Sequence, residues 1–308
     1  MSALPANPPP ASPPPAGTLR EALAAGPVVL DGGLSNQLQA QGCDLSDALW
    51  SARLLADDPG GITAAHRAYV RAGAQVVTTA SYQATYEGFA RRGTAPAEAT
   101  ALLVRSVELA RAAGARWVAA SVGPYGAMLA DGGEYRGRYG LSVRELARFH
   151  RPRLAVLAAA APDVLALETV PDVDEAEALL RAAEGLGVPL WLSYTVADGR
   201  TRAGQPLTAA FELAAGNDQV LAVGVNCCAP QEVSEAVSAA VAATGKPVVA
   251  YPNSGESWHA PTRSWRGEAG YALHRAPGWY EAGARLIGGC CRVGPESITR
   301  LAADLAGD

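Results

Sequence analysis

The stretch DVLALET, residues 163–169, runs apolar from Val164 to Leu167 without alternation and then ends in a carboxylate and a hydroxyl, Glu168 and Thr169. A strand with one wet face alternates apolar and polar residues. An unbroken apolar run of this length reads as a parallel strand covered on both faces. Seven more stretches have the same character: PVVLDGG (27–33), AQVVTTAS (74–81), WVAASVG (117–123), PLWLSYTV (189–196), VLAVGVN (220–226), KPVVAYPN (246–253) and RLIGGC (285–290). Helical segments lie between them, over 57–72, 96–113, 142–160, 174–186 and 231–243. Pro96 suits a first helical turn, Ser142 with Glu145 has capping-box spacing, and Asp172 or Asp174 offers a cap to the next helix. Gly73, Gly114, Gly187 and Gly245 follow helix ends.

Eight strand–helix units with no linker-like break predict one α/β domain over residues 18–308, a (β/α)8 TIM barrel. An open doubly wound sheet is the other architecture that this alternation builds. Residues 1–17, MSALPANPPPASPPPAG, have no basic residue and no apolar core of their own. They read as a disordered Pro/Ala-rich tail, not a signal peptide.

With 49% hydrophobic residues the chain has ample material for a core, and its net charge of −5 gives nucleic acid or an anionic membrane no reason to bind. The longest apolar run, around 154–167, is interrupted by Pro162 and Asp163, so no membrane span is expected. Five cysteines, an odd number without an export signal, point to a reducing cytoplasm. Small molecules are the expected partners, and nothing in the sequence specifies an oligomeric state.

Barrel chemistry sits at the C-terminal ends of the strands. There the sequence places Asp31-Gly32-Gly33, then Thr78, Thr79, Ser81 and Tyr82, then Glu168-Thr169, Asn226-Cys227-Cys228, Asn253-Ser254-Gly255-Glu256, and Gly288-Gly289-Cys290-Cys291. The long connections 83–95 and 124–141 belong to the same face. Four of the five cysteines stand in adjacent pairs, with no C-x-x-C among them. By spacing alone they read as packing thiols. Their positions at two neighbouring strand ends admit a second reading, in which Cys227, Cys290 and Cys291 give zinc three thiolates and leave a fourth tetrahedral position open. Neighbouring residues of a strand face opposite ways, so this needs a bend at 290–291, for which Gly288 and Gly289 offer the freedom. Cys228 then points away.

At these residues the chain resembles the homocysteine S-methyltransferases, in particular the branch that uses S-methylmethionine. The resemblance runs from about 28 to 301 through DGG (31–33), LWSARLL (49–55), RAGAQVVTTASYQAT (71–85), SVGPYGAMLADGGEYRG (121–137), HRPR (150–153), ETVP (168–171), GVNC (224–227), YPNSGE (251–256) and GARLIGGCCR (283–292). It implies a barrel with Zn²⁺ on Cys227, Cys290 and Cys291, and a methyl group passing from a sulfonium, S-methylmethionine or S-adenosylmethionine, to homocysteine. It further implies that Asp31 and Glu168 hold the homocysteine ammonium, with backbone N–H groups at Gly32 and Gly33 for its carboxylate. Asn226 then braces the metal loop, or simply forms a turn. Trp50 and Tyr82 face the sulfonium or pack in the core, and Tyr125, Ser254 and Glu256 line the donor side. His66, His150, His259 and His274 are expected to be structural or surface residues. One departure is local: where the family commonly has Thr-Glu, this chain has Asn36-Gln37, which removes a charge. The competing expectations are a betaine-type donor on the same site, a thiol-binding barrel with a structural zinc, and a thiol redox protein.

Overall fold

A computed structural model describes residues 17–47, 49–259, 264–266 and 272–306, with backbone alone at 257–259 and 264–265. The expected tail thus lies outside the described residues except for Gly17, and so does the side chain of His259. Eight parallel strands form one sheet: β1 (Val28–Val29), β2 (Val76–Thr78), β3 (Trp117–Val122), β4 (Val164–Val170), β5 (Leu190–Tyr194), β6 (Val220–Asn226), β7 (Val248–Tyr251) and β8 (Ala284–Ile287). The spatial order is β1-β8-β7-β6-β5-β4-β3-β2. A parallel bridge between Leu30 and Val76 closes β2 onto β1, helped by Gln75, whose N–H donates to Val29 O at 2.8 Å and whose Oε1 accepts from Val29 N–H at 3.0 Å. The architecture is a (β/α)8 barrel; the open sheet is excluded by that closure.

The packing explains the unbroken apolar runs. Alternate residues point into the barrel, where Val28, Leu30, Val76, Trp117, Ala119, Val164, Ala166, Trp191, Ala222, Val249 and Leu286 form an inner core. The residues between them, such as Val118, Leu165, Leu167, Leu192, Val223 and Ile287, face the surrounding helices in a larger outer core. A strand buried on both faces has no position for a polar residue until it leaves the sheet. Helix Leu19–Ala25, opened by a Thr18–Glu21 capping box, adds Leu19 and Leu23 to the inner core.

The helices follow the expected signals. Pro59–Arg71 is capped by Asp58, Pro96–Ala112 starts on its proline, and Val143–Ala159 opens with the Ser142–Glu145 box. Val173–Ala183 is capped by Asp172, and Val233–Thr244 ends at Gly245, whose φ of +63° favours glycine. Two short antiparallel ribbons, Val196–Ala197 with Arg200–Thr201 and Ser257–His259 with Ser264–Arg266, follow β5 and β7. Among the described residues no helix is long and apolar enough to cross a membrane.

Candidate metal centre and active site

At the C-terminal rim the structure brings the sulfurs of Cys227, Cys290 and Cys291 within 4.8 Å of one another. Cys290 Sγ and Cys291 Sγ are 3.9 Å apart. Thiolates at about 2.3 Å from a tetrahedral ion lie about 3.8 Å from each other, so the spacing fits a metal of that size. Cys227 is buried, the other two are half-buried, and no disulfide links any cysteine. Hydrogen bonds from Cys227 and Cys290 hold the Cys291 thiol well below its ordinary value, while Cys227 and Cys290 are themselves pushed well above theirs, so without a metal one thiol of the three ionises readily. Cys228 is fully buried among the outer-core residues, and burial pushes its thiol up. It packs away from the cluster.

The turn at 290–291 is made differently from the expectation. Gly288 and Gly289 do not take positive φ; the left-handed residues here are Cys227 (φ +49°), Arg292 (+66°) and Thr169 (+58°). The glycines matter because they lack a Cβ. One added at Gly288 would lie 2.7 Å from Asp31 O, and one at Gly289 2.5 Å from Val293 Cγ1. Real Cβ atoms do not approach so closely, so these residues let the loop after β8 pack onto the end of β1. Backbone hydrogen bonds then fix it: Cys290 N–H to Pro252 O at 2.7 Å, Ser254 N–H to Cys291 O at 3.0 Å, and Cys291 N–H to Asn253 Oδ1 at 3.2 Å.

Arg292 is gripped from two sides. Its N–H donates to Asn36 Oδ1 at 2.6 Å, and its guanidinium binds both oxygens of Glu256 at 2.9 and 3.1 Å. Ser254 Oγ also donates to Glu256, at 3.1 Å. That hydrogen-bonded guanidinium keeps the Glu256 carboxyl below its usual range. Ser254 and Glu256, expected on the donor side, are therefore engaged in holding the cysteine loop. The Asn36-Gln37 departure also finds its place: Asn36 braces that loop, while Gln37 donates to Gln41 at 3.1 Å on the surface.

Two buried carboxylates sit on the barrel floor beneath the thiols. Asp31 accepts from Thr78 N–H at 2.8 Å, Thr78 Oγ1 at 3.1 Å and Tyr251 OH at 2.7 Å. Glu168 accepts from Ser121 Oγ. Every one of these partners is neutral, and burial raises Asp31 to about 7 and Glu168 to about 8. The charges of Cys227 and Asp31 add to the rise at Glu168. Such a floor favours a bound cation.

Gly33 departs from expectation, because its N–H already donates to Val293 O at 2.9 Å and is not available to a carboxylate. A Cβ on Gly32 would meet Val293 O at 2.3 Å, and one on Gly33 would meet Cys290 O at 2.7 Å. The pair serves close packing of the two loops. Asn226 is a brace: Oδ1 accepts from Thr169 N–H at 2.6 Å and Ser193 Oγ at 2.8 Å, and Nδ2 donates to Thr169 Oγ1 at 2.7 Å. It holds Thr169 in its left-handed conformation, and the Thr169 hydroxyl in turn lies close enough to Cys227 to favour its thiolate.

Among the aromatics, Trp50 is 41% exposed with φ +49°, which excludes the core-packing reading. Tyr82 lies beside the Thr169 hydroxyl and within the electrostatic reach of Cys227, Glu168 and Glu134. Tyr125 packs on Tyr139 and Phe149, with ring centroids 5.2 and 4.9 Å away. His66 and His150 are wholly buried and His274 is exposed; none joins the cysteines. His150 instead bridges Glu175 at 2.9 Å and Arg153 at 2.7 Å, and Glu175 accepts from Tyr125 N–H at 2.5 Å, so this set anchors the loop after β3. Sequence reasoning placed Thr169 at its strand end without giving it a role, and it missed Glu134 and Tyr135. The last two lie in the turn Gly133–Tyr135, and Tyr135 feels the charge of all three cysteines. Their one signal was a carboxylate and an aromatic in a long loop on the reactive face.

Comparison with known proteins agrees with this geometry. The chain is 44% identical over 292 residues to the homocysteine S-methyltransferase of Escherichia coli (strain K12), covering 90% of this chain and 94% of that one. It is 42% identical over 294 residues to the homocysteine S-methyltransferase YbgG of Bacillus subtilis (strain 168), with 90% and 93% covered. The crystal structure of the metallated form of the homocysteine methyltransferase MmuM from Escherichia coli superposes with a TM-score of 0.82 at 43% identity, covering 91% of this chain and 96% of that one. Residues 28–305 match the family described as homocysteine S-methyltransferase, and the chain belongs to that family.

Proposed function

We propose that the chain transfers a methyl group from a sulfonium, S-methylmethionine foremost and S-adenosylmethionine as a second donor, to L-homocysteine at a zinc ion held by Cys227, Cys290 and Cys291. The observation that carries this reading is the triangle of sulfurs within 4.8 Å above two buried carboxylates with only neutral partners. A donor set made only of thiolates suits zinc, and three of them leave one tetrahedral position for a substrate sulfur. Bound there, zinc supplies the Lewis acidity that keeps an alkyl thiol, with a pKa of about 8.5, ionised at neutral pH.

The chain's own residues do the rest. Asp31 and Glu168 take the homocysteine ammonium, whose charge offsets the cost of burying two carboxylates. Asn226 and Thr169 keep Cys227 in place, while Asn36, Glu256 and Arg292 keep Cys290 and Cys291 in place. Trp50 is held exposed in a strained conformation, as suits a ring that meets a cationic donor. Tyr82 supplies a second ring. In the transfer a new S–CH3 bond forms to homocysteine, and the donor's S–CH3 bond breaks with its electron pair staying on the donor sulfur. With S-methylmethionine both products are methionine. The sulfur enters as the thiolate, so no side chain is needed as a base during this step.

The catalytic unit on this reading is the single domain 18–308, with residues 1–17 outside it. A three-thiolate site fails when its cysteines oxidise, which favours the cytoplasm. Purified protein assayed for metal and for methionine from homocysteine plus S-methylmethionine, S-adenosylmethionine or betaine tests the proposal. About one zinc per chain and turnover with a sulfonium support it; turnover with betaine alone overturns the donor assignment.

A further inference from the structure

The loop after β3 carries a carboxylate oxygen in an unusual state. Glu134 Oε2 is buried and has no hydrogen-bond partner. Burial raises the Glu134 carboxyl to about 7, and the nearby charge of Cys227 adds to the rise. Arg136, a basic residue close by, is paired with Asp131 at 3.6 Å and is 61% exposed. Among the described residues the other buried carboxylate oxygen without a partner, Glu175 Oε2, belongs to a group that already meets His150 and the Tyr125 amide. Glu134 has only its own backbone N–H and the charge of exposed Arg136 nearby, and neither partners its Oε2.

Its position is set rigidly. The turn Gly133–Tyr135 is held by Gly133 N–H on Asp131 Oδ1 at 2.9 Å and by Tyr139 OH on Gly133 O at 3.1 Å. Gly126 packs so tightly beneath it that a Cβ there would lie 2.4 Å from Glu134 N. The turn contacts β4, the strand whose last residues include Glu168 and Thr169. Tyr82 senses both Glu134 and Cys227, and Tyr135 senses Tyr82 and the three cysteines. The carboxylate therefore belongs to the loop wall of the cysteine site, apart from the strand-end floor that carries Asp31 and Glu168.

A buried acceptor with free lone pairs calls for a hydrogen-bond donor. A sulfonium has no N–H or O–H to give, whereas an ammonium has three N–H groups. Resting on the sulfonium-donor reading above, we propose that Glu134 is a specificity-determining residue that binds the ammonium group of an amino-acid sulfonium donor, leaving the reacting methyl free above the cysteines. The ammonium does not change charge during transfer. Its contact with Glu134 is equally strong before and at the transition state, so it acts on donor binding and leaves the chemical step alone.

The test is a cycle of two enzymes and two donors on metal-loaded protein. The enzymes are wild type and Glu134→Gln; the donors are S-methylmethionine and its desamino form, (3-carboxypropyl)dimethylsulfonium. A hydrogen bond between charged groups corresponds to a loss of about 10–100-fold when removed. Glu134→Gln should raise the KM for S-methylmethionine by about that factor, with kcat within about threefold and with homocysteine KM and metal content unchanged. Wild type should lose a similar factor on the desamino donor, and the variant should hardly distinguish the two donors. Calorimetric titration of S-methylmethionine without homocysteine should show the same weakening. An unchanged donor KM in Glu134→Gln overturns the proposal, as does loss of metal from that variant, which would make the carboxylate part of the metal site. If the variant does not fold, the wild-type arm decides: equal use of both donors overturns the proposal. Wild type that uses no sulfonium at all overturns the functional reading and this proposal together, while a wild type that uses S-methylmethionine beside an indifferent variant overturns this proposal alone.

Discussion

Asn226→Ala puts the brace of the site to a quantitative test. The side chain makes three buried hydrogen bonds, of 2.6, 2.7 and 2.8 Å, to Thr169 and Ser193. At about 1 kcal/mol each, their loss removes about 3 kcal/mol. The Thr169 amide is then left buried without a partner in a left-handed conformation (φ +58°) that its surroundings no longer enforce; relaxation of that backbone limits the added cost to about 1 kcal/mol. A loss of about 3–4 kcal/mol is a large part of an ordinary domain's stability, and in a chain of this size it lowers Tm by about 5–7 °C. The effect reaches the cysteines as well, because the Thr169 hydroxyl lies close enough to Cys227 to favour its thiolate. Loss of a group that orients a metal ligand weakens metal binding by about 10–100-fold. Thermal unfolding of metal-free protein and a competition titration with a chromogenic chelator measure the two effects. A Tm within about 2 °C of wild type together with unchanged metal affinity would refute the reasoning, since it would mean that Thr169 and Cys227 hold their conformations without Asn226.

Three other outcomes are expected. Trp50→Ala should leave Tm within about 2 °C, because the ring is 41% exposed, yet raise the donor KM several-fold; unchanged donor kinetics would remove Trp50 from the donor site. Cys228→Ala should keep its metal and activity at a cost of about 1 kcal/mol in stability, because that thiol packs in the outer core, whereas Cys227→Ala should lose the metal. Stability of the ligand-free protein should fall between about pH 6.5 and pH 8. Asp31 and Glu168 are raised by burial to about 7 and about 8 from unfolded values near 4, so the folded state holds more protons in that window and loses that advantage as they leave. Cys291, held below its ordinary value, works the other way, so the share of Glu168 is read as the difference between wild type and Glu168→Gln. His66, lowered to about 4 by burial, is neutral there in the folded state and weighs in only at lower pH. Urea unfolding across the window checks the sign.

The fold was legible because burial on both faces leaves a simple trace. Each barrel strand reads as an apolar run, and each run stops where a polar residue reaches the rim, as at Glu168, Asn226 and Asp31. The convergence of the cysteines was legible from strand order, since β6 and β8 both lie next to β7. How the turn is built was not. Glycine is the residue that sequence reasoning trusts for unusual backbone, yet the left-handed positions are Cys227, Thr169 and Arg292, held there by partners far away in sequence. Asn36 meets Arg292 across 256 positions, a contact that no local pattern encodes. Glu134 and Tyr135 lie in a Gly-rich loop without periodicity, where neither a helical nor a strand repeat marks which side chain turns inward. The Gly33 N–H looked free in sequence because its acceptor, Val293 O, arrives from the other end of the chain.

The central claim is that the three cysteines hold a metal whose open position takes the substrate sulfur. Cobalt(II) substituted into the metal-free protein reads this directly, through the sulfur-to-metal charge-transfer bands in the near ultraviolet. The account predicts about one cobalt per chain, tetrahedral visible bands, a further gain of charge-transfer intensity on adding homocysteine but not methionine, and loss of all these in Cys290→Ala. Tetrahedral bands that ignore homocysteine, or methyl transfer that persists at wild-type rate in protein stripped of metal, would contradict it.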